Sequence, residues 1–417
     1  MLESLPLVFV LAGLALYTVL AGADFGAGIW QLVAGRDHHA EQVREHAHHS
    51  MGPVWEANHV WLIFVLTVLW TAYPRAFGSI ASTLAVPLFI AVVGIILRGA
   101  AYALRAGAAS ARESARIDTI FALSSILTPF ALGAAIGGIA TNRVPVGNAA
   151  GDLWSSWLNP TSIFVGVLAV ATSAYLAAVY LAADAAREGH DPLERDFRLR
   201  ALGGGIVAGA LAAAGIFVVN ADSHRLFHSL LSGRALPAVI VSAFAGLATL
   251  AFVYARRYEP ARYGAALAVA AIVAGWALSR WPTILPGLSV QQAAAGHDSL
   301  VAIVIAVLGG GALLFPALAL LFRLAVTGRF RAAESTLSEF APQGLRLGRS
   351  RMLARVAVAC LIAGFGLLNV AESPWAHAVG VACLGCFVVL ASRVIIFAVL
   401  GEPAAPRNAR RGSDPSW

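Results

Sequence analysis

The sequence predicts an all-α polytopic membrane protein, and three observations carry that prediction. Of its 417 residues, 59% are hydrophobic and only 12% charged, with a mean hydropathy of +0.77. A soluble globular domain carries about 25% charged residues, roughly twice that share. The charges are also segregated, so that long charge-free runs alternate with arginine-bearing connections. Finally, most runs reach the ~20 residues that a helix needs to cross a bilayer's hydrocarbon core.

The charge-free runs fall at 4–23, 57–74, 76–97, 119–142, 153–183, 201–221, 235–255, 263–279, 299–322, 356–371 and 373–392, and are read as eleven spanning helices. The run 281–297 is uncharged too, but Pro282, Pro286, Gly287, Gln291 and Gln292 make it a connecting loop. The first run lacks a basic n-region and a cleavage site and is read as a retained helix. All 29 basic residues are arginine, and they crowd the connections after the odd-numbered spans, with Arg36, Arg44, Arg187, Arg198, Arg256 and Arg349 among them. The opposite side holds only Arg75, Arg143, Arg225, Arg234 and Arg280. The positive-inside bias therefore places the N-terminus outside and the C-terminus in the cytoplasm. The net charge of +7 reports this topology and excludes nucleic-acid binding as its explanation. Three cysteines, all within spans, exclude a disulfide framework.

Function is sought where ionisable groups enter the membrane, because each costs a few kcal/mol there unless it is paired or used. Glu56 stands in the first turn of the second span, Asp24 at the end of the first and Arg98 at the end of the third. The topology puts all three at one depth on the cytoplasmic side, on helices that short loops make neighbours. Two acids and a base at one level can form a partly compensated cluster, and such a cluster can pass protons. Glu56 and His59 share a helix face, and Asn58 and Trp61 share the next. Gly22 and Gly26 allow a second helix to approach the backbone beside Asp24. The plainer reading is that the acids only cap helices or serve assembly.

Other polar groups carry less. His38, His39, His46, His48 and His49 crowd the stretch 36–49, which reads as a solvated interfacial helix rather than a metal site, since no fixed ligand spacing is present. His224 and His228 are four apart beside an external helix end and read as part of a wet loop. Cys383 and Cys386 read as packing residues. Methionine occurs only at 1, 51 and 352, and His59 is the only histidine well inside a span, so no haem or metal ligand set is expected.

Against this background a resemblance stands out. Gly52-Pro53-Val54-Trp55-Glu56-Ala57-Asn58-His59-Val60-Trp61-Leu62 resembles the Gly-Pro-x-Trp-Asp/Glu-Gly-Asn-x-Val-Trp-Leu segment of subunit II of cytochrome bd-type quinol oxidases. Asp24-Phe25-Gly26-Ala27-Gly28 is similar to that family's ending of its first helix, and Leu97-Arg98-Gly99 with Tyr102 and Arg105 to the end of its third. Asn159-Pro160 and Trp281-Pro282-Thr283-Ile284-Leu285-Pro286 fit as well, and the likeness covers about residues 1–325.

The resemblance implies a nine-helix core over 1–325, built as two four-helix bundles plus a peripheral helix. A basic cytoplasmic linker at 326–352, an extra transmembrane hairpin at 353–400 and a cytoplasmic tail at 401–417 follow. It implies a heterodimer in the bacterial cytoplasmic membrane, whose subunit I carries haem b, or haems b and d, and oxidises quinol with dioxygen. No cofactor is implied on this chain beyond a structural quinone or lipid. Glu56 takes the position of an acid on a proton route, with Asp24, His59 and Arg98 as its companions and Trp55, Asn58 and Trp61 as support. The family's further acid before Asp24 is replaced by Gly22 and Ala23, its glycine after the helix-two acid by Ala57 and its glutamine by His59, which suggests a divergent branch such as the cyanide-insensitive type. Two other functions remain open on the residues alone: an ion-coupled secondary transporter using Asp24 and Glu56, and a purely structural membrane scaffold.

Overall fold

The structure is a computed structural model that describes residues 2–35, 38–51, 55–105, 110–326, 348–370 and 373–400. The side chains of Trp55 and Glu56, most of the linker 326–352 and all of the tail 401–417 lie outside the described residues. Two units are distinguished, 1–314 and 315–417.

In the first unit α1 (Leu5–Val33) is followed by a short helix α2 (His38–Met51), and then by α3 (Trp55–Ala72), α4 (Pro74–Thr83) and α5 (Ala85–Arg105). Helices α6 (Ala111–Ala140), α7 (Pro160–Glu188), α8 (Asp191–Asp222), α9 (His224–Leu231), α10 (Leu236–Tyr254) and α11 (Tyr258–Arg280) come next. A two-strand hairpin, β1 (Thr283–Leu285) with β2 (Leu288–Ser289), and one helical turn, α12 (Val290–Ala293), lead into α13 (His297–Val326), of which residues up to Leu314 belong to this unit. Among the described residues eight helices are long and apolar enough to cross a bilayer: α1, α5, α6, α7, α8, α10, α11 and α13. The apolar stretch of α3 is shorter, Asn58–Ala72. This is a multi-pass, all-α membrane protein.

Helix α1 is central. It packs on α3 and α6, and through its other side on α7 and α11; α5 packs on α6, while α10 packs on α8 and α11. Small residues make this possible, since every residue from Ala21 to Gly28 is buried. Gly26 lies so close to the Ser173 carbonyl of α7 that any side chain would collide with it. Packing of this kind, rather than hydrophobic exclusion from water, is what holds helices together in lipid. Helix α13 is at the edge, where Leu300 and Ile303 join Val65, Tyr73 and Leu285 in one apolar cluster.

Helix ends are set by local chemistry. Asn159 caps α7 by accepting from the Ser162 amide at 3.0 Å, with Pro160 following at the first helical position, a cap worth about 1 kcal/mol. Gly189 closes the same helix with φ +73°, the left-handed conformation glycine adopts without strain. At the opposite end Asp222 binds Arg143 at 2.8 Å and Thr161 at 2.7 Å, tying the end of α8 to α7 and to the connection that follows α6.

The run 76–97 is not the single span its composition suggests. It is divided at Leu84, between α4 and α5. Pro87 has no amide hydrogen to return to Thr83, so one helical bond is missing at that turn, where the break falls. The stretch 281–297 is the expected connection, though ordered as a hairpin and a turn rather than irregular throughout.

In the second unit α14 (Gly348–Val370) and α15 (Pro374–Leu400) form an antiparallel pair. Gly364 faces the Gly380 carbonyl, which lies 2.9 Å from where a Cβ would sit. Cys383 is half-buried and Cys386 exposed, and both are free thiols.

Candidate functional site

Asp24 and Arg98, expected at one depth, meet directly. Arg98 Nη2 donates to Asp24 Oδ1 at 2.7 Å and to the Asp24 carbonyl at 2.8 Å, and Nε reaches Oδ2 at 3.3 Å. Side-chain exposure is 3% for Arg98 and 2% for Asp24, so the pair is sealed from solvent. The remaining arm, Nη1, donates to the Ser125 hydroxyl of α6, and that hydroxyl in turn donates to the Phe121 carbonyl at 2.5 Å. Phe121 and Phe25 place their rings 4.0 and 5.3 Å from the guanidinium carbon, within the range of cation–π attraction.

The sequence builds this clamp from three helices. Gly28 on α1 leaves room for Ser125 and Arg98, since a Cβ there would lie 2.9 Å from Nη1. Gly94 on α5 does the same for Thr128 one turn away. Charge neutralisation and hydrogen bonds from all three guanidinium nitrogens make the pair tolerable in a low-dielectric interior; with one partner missing, the other would cost several kcal/mol.

Helix α3 lies along the same part of α1. Asn58 is buried, and its Nδ2 donates to the Leu20 carbonyl at 3.3 Å. The half-buried His59 ring stands edge-on to Tyr17 and Phe25, with centroids 6.1 and 6.2 Å away. Trp61 and Leu62 pack on Tyr17, Ala21 and Phe25. Phe25 therefore touches both His59 and Arg98, which places the first turns of α3 beside the clamp. Glu56 belongs to the first of those turns, although its side chain, like that of Trp55, lies outside the described residues.

Past Phe121, a small cleft between α5 and α6 is lined by Ala101, Tyr102, Arg105, Ile117 and Asp118. Arg105 and Asp118 pair across it at 3.1 Å. The Phe121 ring thus forms the inner wall of the cleft and one cover of Arg98.

Sequence reasoning missed Ser125, Phe121, Tyr17 and Gly28. All are neutral, and only Gly28, within Asp24-Phe25-Gly26-Ala27-Gly28, carried a visible signal. Of the weaker candidates, His224 and His228 share the exposed face of α9 with their Nε2 atoms 3.2 Å apart, so the segment is helical rather than a loop. The 36–49 stretch does contain the expected helix, α2.

The chain is similar to known proteins. The profile of the family described as cytochrome bd terminal oxidase subunit II matches residues 2–325. Cytochrome bd ubiquinol oxidase subunit 2 of Bacillus subtilis (strain 168) is 29% identical over 114 residues, 27% of this chain and 33% of that protein. A putative cytochrome bd menaquinol oxidase subunit II of the same organism is 28% identical over 72 residues, 17% of this chain and 20% of that protein. The aligned stretches thus span a third or less of the curated relatives' length. The fold is similar to a chain in the structure of bd oxidase from Geobacillus thermodenitrificans, with TM-score 0.62 and 24% identity over 78% of this chain and 99% of that one.

Proposed function

Because the chain belongs to the family of cytochrome bd terminal oxidase subunit II, we propose that it is the companion subunit of a membrane-bound quinol oxidase. In this reading it pairs with a subunit I that holds the haems and the quinol site, and the complex reduces dioxygen to water. The match over 2–325, which takes in both the acid-bearing start of α3 and the Asp24–Arg98 clamp, is the observation that carries it. The complex resides in a bacterial cytoplasmic membrane, with the arginine-rich connections and the C-terminus inside and the N-terminus outside.

Among the described residues the donor set does not suit a haem of this chain's own. A b-type haem takes His or Met ligands from a bundle interior. The His59 ring, edge-on to Tyr17 and Phe25, offers one such ligand, where a bis-ligated haem takes two. Haem b, or haems b and d, are assigned to subunit I, and a quinone or lipid between the subunits has a structural role.

The part given to this chain is proton supply from the cytoplasm. Glu56 is the exchanging acid, and His59, one turn further on, is its relay. Asp24 has both carboxylate oxygens engaged by Arg98 and so serves as a fixed charge that holds α1, α5 and α6 in place. Asn58 fixes α3 to α1.

The test is substitution of Glu56 by Gln and by Ala in the whole complex, followed by quinol-dependent oxygen uptake and haem spectra. Loss of a positioned acid–base group is expected to cost turnover about 100-fold with haem content intact. Undiminished turnover in both variants ends the proton-supply role. Loss of haem in both would point instead to a scaffold.

A further inference from the structure

We propose that His46, Glu188 and His190 form a binding site for one divalent transition-metal ion, with Zn²⁺ as the best fit, independent of the reading above. Glu188 ends α7 and His190 precedes α8, with Gly189 as the left-handed turn between them. That turn presents two potential ligands towards α2, which supplies the third. Both His46 Nδ1 and His190 Nδ1 stand 3.4 Å from the same oxygen, Glu188 Oε2, and the three atoms lie within 4.8 Å of one another.

Two features distinguish this cluster from ordinary surface charge. First, His46 is 6% exposed, and its Nε2 lies 3.1 Å from the Leu181 carbonyl. A carbonyl only accepts, so His46 holds a proton on Nε2, and its Nδ1 faces a carboxylate oxygen. A metal ion seated between Nδ1 and Glu188 Oε2 would satisfy both atoms, as a second ring proton also would, and titration with Zn²⁺ separates the two. A backbone carbonyl on the far nitrogen is also the usual way a metal-binding imidazole is oriented. Second, the spacing fits. With bonds of about 2.0–2.1 Å, ligand atoms around a tetrahedral ion are separated by about 3.3–3.4 Å. Both nitrogen–oxygen edges meet that value, the third lies within 4.8 Å, and His190 is exposed, so its ring has room to adjust. Two histidines and one carboxylate leave the fourth position to water, on the solvent-facing side where Glu188 and His190 are exposed. Aromatic contact with Phe197, centroids 5.7 Å apart, keeps the His46 ring in place.

The ion would fasten α2, which leads towards the acid-bearing α3, to the α7–α8 turn. His39 already makes a parallel contact with Asp196 of α8 at 3.2 Å. The test uses the full-length chain, purified without a polyhistidine tag, stripped with a chelator and titrated with Zn²⁺ by calorimetry and metal analysis. One Zn²⁺ per chain is expected, with affinity reduced at least 10-fold in His190→Ala and in Glu188→Gln, about the least that loss of even an outer partner costs. Both substitutions are at exposed positions, which preserves folding. Co²⁺ in place of Zn²⁺ should give d–d bands of tetrahedral intensity that disappear in the same variants. No stoichiometric binding, or binding lost only in a His224→Ala/His228→Ala double variant, would overturn the site.

Discussion

Arg98 holds Asp24 at two points, its carboxylate at 2.7 Å and its own main-chain carbonyl at 2.8 Å. The arginine thereby fixes the backbone of α1 as well as its charge. Removing either side chain leaves a buried, uncompensated ion. Asp24→Asn or Arg98→Met should each destabilise the protein by about 3–5 kcal/mol, whereas the Asp24→Leu/Arg98→Met pair should lie closer to the parent. Thermal unfolding in detergent distinguishes these outcomes, and additive losses in the double variant would show that the two residues act separately.

The α1–α7 seam gives a second expectation. A Cβ at Gly26 would collide with the Ser173 carbonyl and lie 2.7 Å from Ala177 Cβ. Gly26→Ala should cost about 1–3 kcal/mol through forced helix displacement. Gly246 on α10 has open space around it, so Gly246→Ala should be neutral or slightly stabilising. Equal melting temperatures for the two variants would contradict the close approach.

Arg280 closes the other end of the molecule. Its Nη1 donates to the Ile139 and Ala140 carbonyls at 2.8 and 3.2 Å and to Asn142 Oδ1 at 2.9 Å, while Nη2 reaches the Ile284 carbonyl at 2.8 Å. Arg280→Gln leaves several of these acceptors unmet, at about 1–3 kcal/mol. Hydrogen exchange should accelerate at the end of α6 and in the β1–β2 hairpin together, and a change confined to one of them would show that the arginine does not join them.

Asp152 supplies a pH dependence. Its Oδ1 accepts from the Ser155 and Trp154 amides at 2.7 and 3.0 Å, and these backbone bonds hold the carboxyl below the usual aspartate range. A lowered folded-state value means the stabilisation is fully present above the ordinary aspartate pKa and is lost as pH falls through the lower one. The amides of Trp154 and Ser155 should lose exchange protection over that acidic window, and Asp152→Asn should remove the dependence. Protection unchanged by acid would refute it.

Much of this was legible in the chain itself. Uncharged runs locate the helices because lipid excludes charge, yet they report the thickness of the apolar slab and not helix length. Helix α8 begins at Asp191, well before the run 201–221, because Asp196, Arg198 and Arg200 find partners in its first turns. The break at Leu84 escaped because 76–97 holds no charge, and Pro87 alone does not say whether a helix bends or ends. Asp24 and Arg98 could be paired from depth and sign. Ser125 and Phe121 could not, since a serine and a phenylalanine inside an apolar helix have no sign to read. The proximity of His46 to Glu188 and His190 depends on how α2 folds back on the α7–α8 turn, which no local pattern encodes.

The order of the two clamp residues along the chain has a bearing on biosynthesis. Asp24 is made and inserted long before Arg98. When the ribosome delivers α5, the guanidinium enters a bilayer in which its counter-ion already waits, and Gly28 has left the berth open. The cation is thus spared a solitary stay among acyl chains, and the nascent protein gains a charged tether between α1 and α5 while later helices are still being translated.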